Sequence, residues 1–255
     1  MVPRILRTEA IVLRHLDYRE TSQIVTLFTR ELGKVSVIAR GARAAKSPFG
    51  SALQPMAYVE AVLYHSPGRE LHTLKEVAHV RPFLQLTRHL DRMAIGLRII
   101  EFVHALSQPD EPHPALFQLV VETLSLLDAA EERPENLLLF FQLQLAGHLG
   151  FQPAVSREQV EALTEQGGSL ILESGDVIEG RVEGRGGRFA SRPALRAFAI
   201  LVHAPVEAVL RMTMAEHIRK EVGALVDAYL HFHVEEAYPT RGEKIMGALL
   251  NRRGE

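Results

Sequence analysis

The sequence predicts an α+β multidomain protein, with a β-domain over residues 1–80 and a helical domain over 81–255. The helical part carries an inserted glycine- and arginine-rich segment at about 154–192. Three observations predict this. The first eighty residues hold five short stretches of period-two patterning divided by turn signals. After Arg81-Pro82 the apolar residues recur at three- and four-residue steps. Between two such helical blocks, Arg157 to Arg192 is rich in glycine and poor in large apolar side chains.

The expected strands are Glu9–His15, Gln23–Thr29, Lys34–Arg40, Ala57–Tyr64 and Glu70–Val77. Their separators are Asp17-Tyr18-Arg19-Glu20, Leu32-Gly33, a basic loop, and Ser66-Pro67-Gly68. Five strands in so few residues favour a small closed barrel over a sandwich. In the helical part, Leu84, Leu86, Leu90, Met93, Ala94, Leu97 and Ile100 start the helical spacing, and Ala115–Ala129 and Glu135–Leu149 continue it. Pro134 suits a first turn. A second block from about Pro193 to Tyr238 closes the bundle through Leu195, Phe198, Leu201, Val202, Val222, Leu225, Val226, Tyr229 and Leu230.

Charge is the best clue to function. The formal net charge is -2, yet residues 1–80 hold 11 Lys+Arg against 7 Asp+Glu, and residues 81–255 hold 18 against 24. No carboxylate lies between Glu31 and Glu60, whereas Lys34, Arg40, Arg43 and Lys46 fall in that interval. In the run Lys34 to Arg40, alternation puts Lys34, Ser36 and Arg40 on one face and Val35, Val37 and Ala39 on the other. The apolar face enters a core while the cations stay in water. Gly41 then breaks the strand, and the loop to Pro48 carries Arg43 and Lys46. A local positive field on a β surface suits a polyanion; charge alone fits a solvated edge strand equally well.

The order and spacing of several segments carry a resemblance. Glu9-Ala10-Ile11-Val12-Leu13-Arg14, Asp17-Tyr18-Arg19-Glu20-Thr21-Ser22, Ile24 to Thr29, Gly33 to Arg43, Lys46-Ser47 and Leu53-Gln54-Pro55 together resemble the N-terminal domain of the RecO recombination-mediator family. Weaker similarity continues through Leu149-Gly150-Phe151-Gln152-Pro153 and Tyr229 to Glu235, covering most of the chain. The resemblance implies an OB-fold for the five-stranded barrel. It also implies binding of single- and double-stranded DNA and annealing of complementary strands. With RecR, such a protein promotes RecA loading on DNA coated by single-strand-binding protein. The expected DNA contacts are Lys34, Arg40, Arg43 and Lys46, with Arg14 and Arg19 secondary because either can pair with Asp17 or Glu20. The acidic, Phe-ended tail of single-strand-binding protein is expected in an apolar groove of the helical domain rimmed by Arg or Lys; Arg88, Arg92 and Arg98 lie on a suitable amphipathic helix, but the sequence leaves the groove unassigned.

Many RecO-like proteins carry a four-cysteine zinc module where this chain has its glycine-rich segment. With no cysteine in the sequence, neither zinc nor any other metal or cofactor is expected. Leu170, Ile171, Leu172, Val177, Ile178 and Phe189 must hold the segment instead. The arginines at 181, 185, 188, 192 and 196, against Glu183, read as a soluble loop or a second phosphate contact. His231 and His233 lie two apart on an expected helix, about 200° around its axis, which does not suit one ion. Nucleophile, Walker, dinucleotide and His-Glu-x-x-His motifs are all missing. A non-catalytic protein is therefore expected.

Aromatic residues are few and Trp is absent. Phe28 reads as core, and Phe49 and Tyr18 as stacking candidates, so binding should rest on the phosphate backbone and depend steeply on salt. The start, Met1-Val2-Pro3-Arg4, lacks a signal-peptide pattern, and no apolar run approaches a membrane span. A cytoplasmic, nucleoid-associated protein is the expectation. A protein-interaction adaptor and an RNA-binding OB protein are the alternative readings.

Overall fold

In the computed structural model the described residues are 4–66, 68–131, 133–182 and 184–239. Met1, Val2, Pro3, Pro67 of the expected turn and Glu183 lie outside them. Five strands form the N-terminal domain: β1 (Arg4–Tyr18), β2 (Ser22–Thr29), β3 (Gly33–Ala39), β4 (Tyr58–His65) and β5 (Leu71–Arg81). They close into a barrel in the order β1-β2-β3-β5-β4, with β4 returning to β1. All neighbours are antiparallel except β3 and β5, which run parallel. This is an OB-type barrel.

Alternation explains why these residues make a barrel. Along β3, Val35, Val37 and Ala39 are buried, while Lys34, Ser36 and Ile38 are half-exposed. Ala10, Val12, Val25, Leu27, Val59, Ala61, Leu63 and Leu74 fill the same core. A register shift between Val12 and Arg14 interrupts the long β1. Such a bulge resets which side chains point outward, so Arg14 and Leu16 pair with outward residues of β2.

Two helices, α1 (Leu90–Leu106) and α2 (Pro114–Ala129), follow. Phe117 of α2 lies 6.0 Å from Phe28 and 6.3 Å from Tyr58, ring centre to ring centre. They cover the outer barrel surface around Phe28, which is fully buried. The segment between the helices completes this packing. The Asp110 amide donates to the Lys34 carbonyl at 3.1 Å. Gly33, with φ +69°, lies so close to Glu111 that a Cβ would sit 2.1 Å from its carbonyl oxygen.

The helix starts later than the apolar spacing predicts. Leu84 and Leu86 lie in turns before α1, because the Asp128 carboxylate accepts from the Gln85 and Leu86 amides, both at 2.7 Å. That fixes a turn in which Leu86 is buried and Leu84 exposed.

Chain packing divides the molecule into two compact units, residues up to Ala129 together with Pro239, and Ala130–Tyr238. The change from strand to helix spacing falls near residue 80, but α1 and α2 belong to the barrel's unit. Unit 2 comprises α3 (Glu135–His148), α4 (Arg157–Glu161), α5 (Arg192–His203), α6 (Val206–Arg211) and α7 (Glu216–Val234). It also holds a small antiparallel sheet, ordered β7-β6-β8, of β6 (Gly168–Ile171), β7 (Val177–Glu179) and β8 (Gly187–Ala190).

Local signals set these elements. Ser156 and Gln159 form a reciprocal capping box on α4, and Ser191 caps α5 with Pro193 in its first turn. Asn136, fully buried, donates to the carbonyls of Val209 at 3.0 Å and Met212 at 2.8 Å. The Tyr229 hydroxyl donates to the Phe151 carbonyl at 2.8 Å.

The glycine-rich segment is thus a three-stranded sheet with a short helix before it. Leu170, Leu172 and Val177 are buried as expected, and Ile171 is half-buried. Ile178 is not part of this core, being 45 % exposed on an edge strand paired only with β6. Phe189 is half-exposed and covered by the Arg181 guanidinium, 4.1 Å from its ring centre.

Candidate nucleic-acid interface

The outward positions of β1, β2 and β3 form a continuous face. Cross-strand pairing defines its rows: Arg14, Thr26, Ser36 and Leu71 in one, and Leu16, Ile24, Ile38 and Thr73 in the next. Beyond them lie Tyr18 paired with Ser22, and Arg40 following Ala39. None of these positions is a carboxylate. Below the Arg14 row, Phe28 pairs with Lys34, and there α2 covers the surface.

Each expected contact has a definite place. Arg40 and Lys46 are exposed, without an ion-pair partner among the described residues. Arg14 is exposed, and its Nε donates to Thr26 Oγ1 at 3.3 Å. Arg43 is drawn toward the β1–β2 turn. Its Nε meets Asp17 Oδ2 at 3.4 Å, its guanidinium reaches the Arg19 carbonyl at 3.4 Å, and its amide donates to the Thr21 carbonyl at 2.9 Å. Asp17 thereby pairs with Arg43 rather than with Arg14 or Arg19. Arg19 takes a left-handed backbone conformation, φ 55°, and lies 5.2 Å from the centre of the Tyr18 ring.

Lys34 differs from the other cations. It faces outward, as alternation requires, but its Nζ donates to the His104 carbonyl at 2.7 Å. That carbonyl is in the last turn of α1, where backbone acceptors lack helical partners. Burial lowers the Lys34 pKa, and nearby Arg14 adds to the effect. Burial also pushes the His104 ring down to about 4, helped by Arg14 and Lys34 and opposed by Glu101. Lys34 therefore joins the barrel to α1 at the covered end of the face.

Of the stacking candidates, Phe49 is a core residue, 6 % exposed. The 3-10 turn Gly50–Leu53 folds it with Ala52 and Leu53 into the barrel end. Tyr18 stays half-exposed on the face. The aliphatic row of Leu16, Ile24 and Ile38 was not anticipated. Its one local signal is that Ile38 shares strand parity with Lys34, Ser36 and Arg40; the row itself needs the register of three strands.

Of the three arginines on the helix suggested for a groove, two are engaged within unit 1. Arg88 lies before α1, and Arg92 donates to the Asp128 carbonyl at 2.8 Å. Arg98 is buried, 2.8 Å from Glu101 and bonded to the Pro239 carbonyl, its guanidinium 4.4 Å from the centre of the Phe102 ring.

Unit 2 instead has an open concavity of about 750 Å³, lined by Val160, Ala197, Ile200 and Ile218 together with Arg192, Arg196, Glu161 and Glu165. Arg192 is engaged with Glu165 at 2.9 Å and the Glu161 carbonyl at 3.0 Å; Arg196, like Arg185 and Arg188, is exposed. His233 stacks on Phe151 at 4.6 Å, and His231 lies 5.3 Å from Tyr238, ring centre to ring centre. Among the described residues no three His, Asp or Glu side chains converge as metal ligands, and no helix is long and apolar enough to cross a membrane.

An OB-type barrel with an acid-free, partly basic row of outward positions, followed by a helical unit, is the class of protein this fold defines. Comparison with known proteins narrows this. Residues 1–83 match the family described as recombination protein O N terminal, and residues 88–242 match recombination protein O C terminal. The chain is 48% identical over 245 residues to the DNA repair protein RecO of Salinibacter ruber, covering 96% of this chain and 94% of that protein. It is 31% identical to that of Symbiobacterium thermophilum over 87% of this chain and 89% of that protein. For that of Chloroherpeton thalassium, identity is 26% over 96% and 99%. The chain belongs to the RecO family of DNA repair proteins.

Proposed function

We propose that this protein is a non-catalytic recombination mediator. It binds single- and double-stranded DNA, anneals complementary strands, and acts with RecR to load RecA onto DNA coated by single-strand-binding protein. The observation that carries the reading is the acid-free barrel face with Arg14 and Arg40, flanked by the loop that bears Arg43 and Lys46. Annealing on such a face is charge work: cations offset the repulsion between two phosphate backbones, and base pairing supplies the sequence information. Arg40 and Lys46 lead because neither has an ion-pair partner among the described residues. Arg14, Arg19 and Arg43 add to the field, and Lys34 contributes from the covered edge. The concavity of unit 2 combines apolar lining with the exposed Arg196, a place for the acidic, aromatic-ended tail of single-strand-binding protein, although Glu165 already occupies Arg192 there.

The test is fluorescence anisotropy with labelled single- and double-stranded oligonucleotides over a salt series, wild type against Arg40→Glu/Lys46→Glu. The reading expects log affinity to fall linearly with log salt, and the variant to bind more weakly with a shallower slope. Absence of binding at low salt refutes it. Binding to RNA alone supports the RNA-protein reading in its place.

A further inference from the structure

Leu16 is 55 % exposed on the barrel, and Ile24 and Ile38, its neighbours in the same cross-strand row, are half-exposed. Three aliphatic side chains in adjacent strands make a ridge with steps of about 4.8 Å. Cations stand on both sides of it. Arg14 precedes Leu16 by two residues on β1, and Arg40 follows Ile38 by two residues beyond β3, each about 6.8 Å along its strand. Because β1 and β3 run the same way, each antiparallel to β2, the two guanidinium groups lie on opposite sides of the ridge. Tyr18 and Arg19 extend the surface at the β1 end.

We infer that the row Leu16–Ile24–Ile38 is a platform for unpaired bases, with Arg14 and Arg40 holding phosphates on either side, so that it distinguishes single strands from duplexes. The inference rests on the DNA-binding reading above. A single strand offers apolar base faces and phosphates together. A duplex hides its base faces and presents phosphates, which reach the cations but leave the ridge bare. Charge selects this occupant: the face has no carboxylate, so a second copy laid against it would bring Arg14 and Arg40 of both molecules together without a counter-charge. Aliphatic contact does not require rings, which fits a chain without Trp whose Phe49 is buried.

The experiment compares three labelled probes of equal length, about twenty nucleotides: an oligothymidylate, an abasic deoxyribose-phosphate strand, and a duplex. Wild type is expected to bind the thymidylate about tenfold or more tightly than the abasic strand. The variant Leu16→Gln/Ile24→Thr/Ile38→Thr is expected to bind both alike, with duplex affinity and salt slope unchanged. Equal wild-type affinity for thymidylate and abasic strands overturns the inference while leaving the DNA reading intact, and this arm needs no variant to fold. A variant that keeps the thymidylate preference overturns it too. Failure of wild type to bind any probe at low salt removes the DNA reading, and the platform with it.

Discussion

Replacing His104 by Gln is expected to flatten the loss of unit 1 stability in acid. The imidazole sits in the last turn of α1, and burial together with Arg14 and Lys34 pushes its pKa from 6.5 to about 4. Between those values the unfolded chain binds more protons than the folded one. The contribution of the neutral ring is therefore complete above about pH 6.5 and lost as the pH falls toward the folded value. At 1.36 kcal/mol per pH unit, the drop corresponds to at most about 3.4 kcal/mol. The ring is half-exposed, so solvent screening leaves about 1–2 kcal/mol. Gln cannot titrate, and the substitution keeps the backbone carbonyl that accepts from Lys34.

The assay is hydrogen exchange of the barrel strands, which reports this unit's own opening free energy, from about pH 7.5 down to about pH 4.5 after correction for intrinsic rates. His72, whose pKa is lowered by burial and by His65, titrates in both proteins, so the difference between them isolates His104. Wild type is expected to lose about 1–2 kcal/mol more than the variant across that range. Parallel pH curves would refute the assignment of His104 as a neutral, cation-flanked group.

Gly33→Ala is expected to cost about 3 kcal/mol or more in urea unfolding, combining a left-handed backbone with a clash against the Glu111 backbone. Gly41→Ala, equally left-handed but in open space, is expected to cost only about 1–2 kcal/mol; equal costs would discount the contact. Asn136→Ala strips donors from two carbonyls and is expected to lower unit 2 stability by about 2–4 kcal/mol; a loss under about 1 kcal/mol in thermal unfolding would show that water replaces the amide. In DNA titrations, Arg40→Gln and Lys46→Gln are each expected to reduce the salt slope by about one. Lys34→Met is expected chiefly to weaken the barrel's join to α1, and a slope change as large as for Arg40 would make Lys34 a full phosphate contact.

The elements most legible in the sequence were those whose own side chains determine them. Val35, Val37 and Ala39 alternate with Lys34 and Ser36, so β3 could be placed to within a residue at either end. Pro193 falls in the first turn of α5 as its fixed φ allows, and Pro134 marks the start of α3, one residue earlier than a first-turn position, at its N-cap. The start of α1 was not legible: the preceding turn depends on Asp128, forty-two residues beyond Leu86. Nor was the fate of Phe49, whose burial depends on where a short turn meets the end of a barrel.

The sequence by itself determined that there is a five-stranded basic β-domain, a helical remainder and no cysteine chemistry, because patterning, charge and composition are properties of neighbouring residues. Only the tertiary structure decided which cations are available. Lys34 and Arg40 share one strand's parity, yet Lys34 is drawn to the end of α1, seventy residues away, while Arg40 projects into solvent. The ridge of Leu16, Ile24 and Ile38 likewise exists only once a bulge in β1 and the register of three strands bring them into one row. Hydrogen bonds across such distances depend on closure of the barrel and the seating of its helices, which no local pattern encodes.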